Sequence, residues 1–455
     1  MLENCQEYFS GILIFFSSRR IPQNATFGWS RPGKDDILST VKQEAPIKSS
    51  IINALIPVVV FVGLRTLNFT LVDPGWSDTH LYKFFADSIL AGQQPYKDFQ
   101  VEYPPLTLVF FLVPGLIARF TGGFLTAYRV EMALFDIGCL LLLAPLAKKV
   151  FNASWRRLLL AQILYILLTT VSFQLLYDRF DIAVAFLILL ATYFALVKNR
   201  WLAAYVVLWL AVLLKLFPIL LLPLFLAVHL RTTKVRNTVI NIFGSGLLIA
   251  MAMALGITLW AGDWSSVFTY HGQRGIQIES LYATLAMIAH FVGLRARVTH
   301  EYGAYQISNS FTPLFSRAAP FIMVLSLVAI YFSFWNAVRK SKEPSVVMIA
   351  FSWSITTSLL AFMVFNKVLS PQFLLWLYPL AAIISAGMRR PAFWVTFWLL
   401  TAAASTMIFP YHYLELIELR PLAILLLAAR NLLLVALAYL SFRHMIMPAA
   451  ASAQT

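Results

Sequence analysis

Residues 75–106 read GWSDTHLYKFFADSILAGQQPYKDFQVEYPPL, a polar and acidic island placed directly after the first apolar run of membrane length. Ionisable groups beside a bilayer are costly, so Asp78, Asp87, Asp98 and Glu102 imply a use for some of them. Two readings of Asp78 stay open at this point. Ser77 or Asp78 can cap a helix over 79–90, whose Leu81, Phe84, Phe85 and Ile89 form one apolar face. Asp78 can instead act as a general base on the water-facing side.

The surroundings of the island set the class. The chain has 455 residues, 60% hydrophobic and 15% aromatic, with 12% charged and a mean hydropathy of +0.77. No soluble fold hides that much apolar surface, so the expected class is an all-α polytopic membrane protein. The net charge of +15 comes mostly from short Lys and Arg clusters between apolar runs. That pattern writes membrane topology and makes nucleic acid an unexpected partner. Cys5 and Cys139 lie in a tail and in an apolar run, which argues against a disulfide framework or a cysteine metal site. Residues 1–50 hold an apolar patch, Gly11 to Phe16, too short to span, and read as a cytoplasmic tail, as do residues 443–455.

Apolar runs of spanning length occupy residues 52–71, 128–146, 158–176, 182–197, 239–260, 313–338, 346–365, 372–386, 393–409 and 422–442. The clusters Lys148 to Arg157, Lys198 to Arg200, Arg231 to Arg236, Arg339 to Lys342, Arg389 to Arg390 and Arg443 are assigned to the cytoplasmic side. Parity then has two consequences. Residues 106–120, bounded by Pro104 and Pro105 before and Gly122 and Gly123 after, form a re-entrant or interfacial helix and not a span. Residues 201–230 cross twice, in halves of about 15 residues or roughly 21 Å each, short of a bilayer core of about 30 Å. The turn at Lys215 to Pro218 is therefore buried, where backbone breaks only beside protein or a polar cavity. The total is about twelve spans with both termini inside. The remaining polar segments, around 75–102, 177–181, 262–310, 366–372 and 411–420, then share the outer face, which argues for one site there.

These outer segments resemble the GT-C glycosyltransferases, especially the bacterial family 87 of polyprenyl-phosphate-mannose-dependent mannosyltransferases. The resemblance rests on Asp78, Gly92 to Phe99, Glu102 to Leu106, Tyr177 to Asp181, Lys215 to Pro218, Arg274 to Ser280 and Lys367 to Trp376, in that order. It covers roughly residues 52–440. It implies a GT-C-type bundle over 51–442, with outer loops at 72–126 and 261–311. It further implies transfer of a sugar, mannose foremost, from a polyprenyl-phosphate donor to a glycolipid or glycan acceptor on the outer face of a bacterial plasma membrane. Asp78 would be the catalytic base. Arabinofuranosyl transfer by the same lipid-phosphate chemistry is the rival within the enzyme class, and a lipid-linked-sugar transporter or flippase the rival outside it.

An outward-facing transferase has no access to nucleotide sugars, and the chain lacks a G-x-G-x-x-G or Walker fingerprint. A lipid phosphate leaves as a stable anion, so nearby cations are needed and an acid is not. His271, Arg274, Lys215 and Lys367 are the candidate phosphate binders. Arg274 can alternatively pair with Glu279, and Arg179 with Asp181. Asp98 and Glu102 are expected to hold sugar hydroxyls or to orient Asp78, with the adjoining Tyr103 at the substrate, Gln277 and Glu279 at the acceptor, and Gln372 at a helix start that favours an anion. No metal and no cofactor are expected. Asp136, mid-span, is either functional or a hydrogen-bonding partner for a neighbouring helix.

Overall fold

The computed structural model describes residues 47–71, 77–260 and 263–447. The expected N-terminal tail up to residue 46 and the chain beyond 447 lie outside the described residues. The chain divides into Met1–Leu55 and Ile56–Thr455, and the site belongs to the second unit.

In chain order the helices are α1 (Ile47–Leu71), α2 (Thr79–Leu90), α3 (Pro105–Thr121), α4 (Phe124–Phe151), α5 (Trp155–Val171), α6 (Asp181–Leu196), α7 (Trp201–Leu214), α8 (Leu222–Thr232) and α9 (Val235–Trp260). After α10 (Ser266–Gln273) come β1 (Ile276–Gln277), α11 (Leu281–Phe291), β2 (Arg297–Glu301) and β3 (Ala304–Ser308). The chain continues with α12 (Thr312–Lys340), α13 (Pro344–Phe365), α14 (Tyr378–Gly387), α15 (Ala392–Thr406), α16 (Tyr413–Ile417) and α17 (Pro421–Ile446). The all-α expectation is corrected in one place. Residues 276–308 carry a three-stranded antiparallel sheet, order β1-β3-β2, in which Ile276 pairs with Ile307 and Val298 with the same Ile307.

Local chemistry explains the helix ends. Pro105 opens α3 at its first position and Gly122 closes it at φ 74, the proline-start and glycine-stop asymmetry of helices. Asn152 ends α4 in the left-handed region at φ 48. In α2 the buried residues are Tyr82, Phe85 and Ala86, while Leu81 and Phe84 are exposed. The apolar face read from sequence is thus split between protein and surroundings, as suits an interfacial helix.

Among the described residues, five helical stretches, 124–151, 312–340, 344–365, 392–411 and 421–446, are long and apolar enough to cross a membrane. Helices α6, α7 and α8 are shorter, at 16, 14 and 11 residues; the run read over 158–176 loses its helix at Ser172, and the chain breaks at Lys215, where the turn was expected. Helix α13 is buried along nearly its whole length and packs between α12 and α17. Those flanking helices present Phe321, Leu325, Phe332, Leu425 and Leu432 outward, an apolar surface that matches lipid. Gly138 of α4 lies so close to α6 that an added Cβ would stand 2.5 Å from the Phe186 ring. Gly138→Ala is therefore expected to destabilise the bundle by about 1–3 kcal/mol, measurable as a lowered thermal midpoint in detergent.

Two interior features position the site. The first doubles the chain back at Lys215: α7 stops, Lys215 is extended at φ −155 and ψ 124, and a 3-10 turn at Phe217–Leu221 leads into α8. Trp201 at the start of α7 stacks on His229 near the end of α8 at 4.3 Å, so the two halves return to the same level. The second feature is an internal polar staple. Asp136 receives Arg65 Nε at 2.6 Å, the Tyr165 hydroxyl at 2.6 Å and the Tyr177 hydroxyl at 2.7 Å. Arg65 also donates to Thr169 and Thr170. A carboxylate this well matched is an inter-helix fastener, and it fixes the chain entering the 177–181 segment.

Candidate active site

A cavity of about 610 Å³ gathers residues from every segment that the sequence places on the outer face, together with the break between α7 and α8. Asp78 lines it. Asp78 occupies the N-cap of α2 but its side chain makes no capping bond; Ser77 Oγ accepts from the Thr79 amide instead, at 3.1 Å. The capping alternative is therefore met by Ser77, which leaves the Asp78 carboxylate for the cavity. Asp78 Oδ2 stands 2.9 Å from Arg179 Nη1, and 40% of its side-chain surface remains open. Burial raises its pKa, as does nearby Glu102, while Arg179 pulls it down.

The segment carrying Arg179 is pinned residue by residue. Asp178 pairs with Arg129 of α4 at 3.0 Å. Asp181 binds Lys215 Nζ at 2.6 Å and accepts from Trp376 Nε1 at 2.6 Å. Arg179 thus pairs with Asp78, and Asp181 with Lys215. Lys215 is further surrounded by the rings of Phe180, Phe373 and Trp376 at 4.8, 5.4 and 5.4 Å, so most of its charge is already spent.

Arg274 and Lys367 differ from Lys215. Both line the cavity, and neither makes an ion pair among the described residues. Lys367 Nζ donates to the Gly272 carbonyl at 2.9 Å, and the Arg274 guanidinium lies 5.7 Å from the Tyr270 ring. Burial and the Arg274 charge both lower the Lys367 pKa, and the same two causes lower that of His271. His271 Nε2 lies 3.2 Å from the Glu102 carbonyl oxygen. Arg274 and Lys367, close to each other and without an ion pair among the described residues, are relieved by an anion between them.

Other expected residues divide. Glu102, Tyr103 and Gln372 line the cavity, with the Glu102 carboxylate beside the Tyr103 and Tyr270 hydroxyls. Gln277 lines it as well, but its amide oxygen accepts from the Leu369 and Glu279 amides, both at 3.2 Å, tying strand β1 to the 366–370 loop. Glu279 does not pair with Arg274. It lines the cavity too, but it is buried against Arg430 of α17 at 3.3 Å, and burial pushes its carboxyl above the ordinary range against the pull of Arg430. Asp98 is not part of the cavity. The chain turns at Tyr96, φ 64, and Asp98 Oδ2 folds back to accept from the Gln94 amide at 2.7 Å, which spends it on an exposed turn. The lining also includes His300, Tyr305, Asn366 and Tyr413, which sequence reasoning did not single out. All four lie in segments already assigned to the outer face; His300 and Tyr305 sit there on a hairpin that was not foreseen.

The family model for glycosyltransferase family 87 matches residues 101–365. The chain belongs to that family. No curated protein matches it. Among solved structures, the transferase is similar to ArnT from Cupriavidus metallidurans bound to undecaprenyl phosphate, at 13% identity over 90% of this chain and 79% of that one, TM-score 0.46. It is also similar to the apo state of that protein, at 14% identity over 89% and 78% of the two chains, TM-score 0.39. With its apolar helices, the family membership makes this transferase a multi-pass membrane enzyme.

Proposed function

We propose that this transferase moves mannose from a polyprenyl-phosphate donor to a hydroxyl of a glycolipid or glycan acceptor, with inversion, on the extracytoplasmic face of the plasma membrane. The observation that carries the reading is a single cavity holding a carboxylate without a capping role, Asp78, and two cations without ion-pair partners, Arg274 and Lys367. Asp78 takes the acceptor proton. The acceptor oxygen attacks the anomeric carbon while the phosphate leaves toward Arg274 and Lys367. Leu216, Phe217, Ile219 and Leu220 at the α7–α8 break give the same cavity an apolar wall, suited to the start of a prenyl chain. Glu102, Tyr103 and Gln372 are assigned to the sugar and acceptor hydroxyls. The reading assigns charge stabilisation to side chains and includes no cofactor or metal. It places both termini in the cytoplasm.

The test uses the full chain in nanodiscs with radiolabelled polyprenyl-phosphate mannose and a panel of glycolipid acceptors. Labelled product supports the reading. Product from the arabinofuranosyl analogue alone moves the assignment to pentosyl transfer, and donor crossing the bilayer without any product moves it to a flippase. Arg274→Ala and Lys367→Ala should each reduce kcat/KM for the donor by about 10- to 100-fold, the worth of one charge-assisted contact of roughly 1.5–3 kcal/mol. Unchanged donor kinetics in both would remove the phosphate from that wall.

A further inference from the structure

The geometry points to Arg179 as a positioning residue of the transfer: it holds Asp78 as the carboxylate before reaction and, once Asp78 has taken the acceptor proton, turns its charge to the departing phosphate. This rests on the transferase reading above and adds a role that the reading leaves unassigned.

Three observations carry it. Arg179 and Asp78 both line the cavity and meet at 2.9 Å, with the arginine side chain 9% exposed and the aspartate 40%. The guanidinium is set by its neighbours in the chain: Tyr177 is held by Asp136, Asp178 by Arg129, and Asp181 by Lys215 and Trp376. A cation anchored on both sides fixes the position of its partner, so the Asp78 side chain is aimed by Arg179 and not by a capping bond to α2. Finally, the charged groups facing Asp78 leave Arg179 a distinct part. They are Glu102 beside α3, Asp181 at the start of α6, Lys215 after α7 and Arg179 itself, with the hydroxyls of Tyr82, Tyr103 and Tyr413 also in range. Lys215 is engaged by Asp181. Without Arg179, Asp78 would face the Glu102 carboxylate and the mutually paired Lys215 and Asp181.

The charges of the reaction balance across this arrangement. The acceptor O–H bond breaks and its proton passes to Asp78, which goes from −1 to neutral. The acceptor oxygen bonds to the anomeric carbon as the bond from that carbon to the phosphate oxygen breaks. The electron pair leaves with the phosphate, a diester of charge −1 becoming a monoester of charge −2. One negative charge thus moves from Asp78 to the phosphate while the total is unchanged. Arg179 loses its match on Asp78 in the same step in which the phosphate gains charge, and a fixed cation serves both ends of that transfer without reorganisation.

The experiment is the pH dependence of kcat/KM for mannosyl transfer by the full chain in nanodiscs, comparing wild type, Asp78→Asn, Arg179→Lys, Arg179→Gln and Arg179→Met. An opposite charge at this distance shifts a carboxyl by about one to three pH units. Loss of Arg179 raises the Asp78 pKa, so the acidic limb should move to higher pH by about one unit or more in the neutral variants. Their plateau kcat should fall by about 10- to 100-fold, with donor KM changed less than about threefold. Arg179→Lys should keep its limb close to wild type. Arg179→Met serves in place of Arg179→Gln if the latter does not fold. A folded neutral variant whose limb coincides with wild type would overturn the inference, as would a lysine variant displaced as far as the neutral ones. A merely structural Arg179 would lower yield or plateau rate without moving the limb. No transfer by wild type, or full activity in Asp78→Asn, would instead bring down the underlying reading and this inference with it.

Discussion

Asp78→Asn is expected to lower kcat by about 10² to 10⁴, the contribution of a positioned general base, with little change in donor binding. Asparagine keeps the size of the side chain and its hydrogen bond to Arg179, but it accepts no proton from the acceptor hydroxyl. The fold should survive, because Ser77 and not Asp78 caps α2. The measurement is single-turnover transfer with saturating polyprenyl-phosphate mannose, alongside equilibrium binding of the same donor. Loss of donor binding in parallel with activity would mark Asp78 as a ligand of the sugar. Equal activity would remove it from the mechanism.

The second large effect falls on stability. Glu279→Ala should cost about 3–5 kcal/mol, because it leaves Arg430 buried without its countercharge. The Arg430 side chain is fully buried and its ion pair is with Glu279, while its Nε and Nη1 meet no acceptor among the described residues. Heat unfolding in detergent should show a markedly lowered midpoint, largely restored in the double variant Glu279→Ala/Arg430→Leu, which removes both charges. Turnover per folded molecule should stay within about threefold, since Glu279, which follows β1 and lines the cavity, already has its carboxylate engaged by Arg430 of α17. A normally stable Glu279→Ala protein with a raised acceptor KM would return Glu279 to the acceptor contacts.

These two residues show how far the linear chain can be read. Asp78 and Glu279 are both acids in polar segments next to apolar runs, and periodicity treats them alike. Their roles separate only when Arg179 and Arg430 arrive from elements 101 and 151 positions away. Asp98 is a similar case. Its carboxylate is spent four residues back on Gln94, a local turn that the Gly-Gln-Gln-Pro-Tyr run made foreseeable. Lys215 marks the opposite outcome, because span length and charge parity predicted a buried break there, and the chain breaks at that residue. The hairpin of β2 and β3, which supplies His300 and Tyr305, left no usable pattern. Its strands are five residues each, too short for alternation to stand out.

By itself the sequence determined a membrane-bound, mostly helical chain, its family, and the polar segments that meet at one cavity. Those properties follow from hydropathy, charge placement and motif order, each of which is additive along the chain. Only the tertiary structure decided which cations remain without an ion pair. Lys215, Arg274 and Lys367 are equivalent as letters, yet Asp181 takes the first and no carboxylate among the described residues takes the other two. Pairing falls off over a few ångströms, and sequence distance carries almost no information about it.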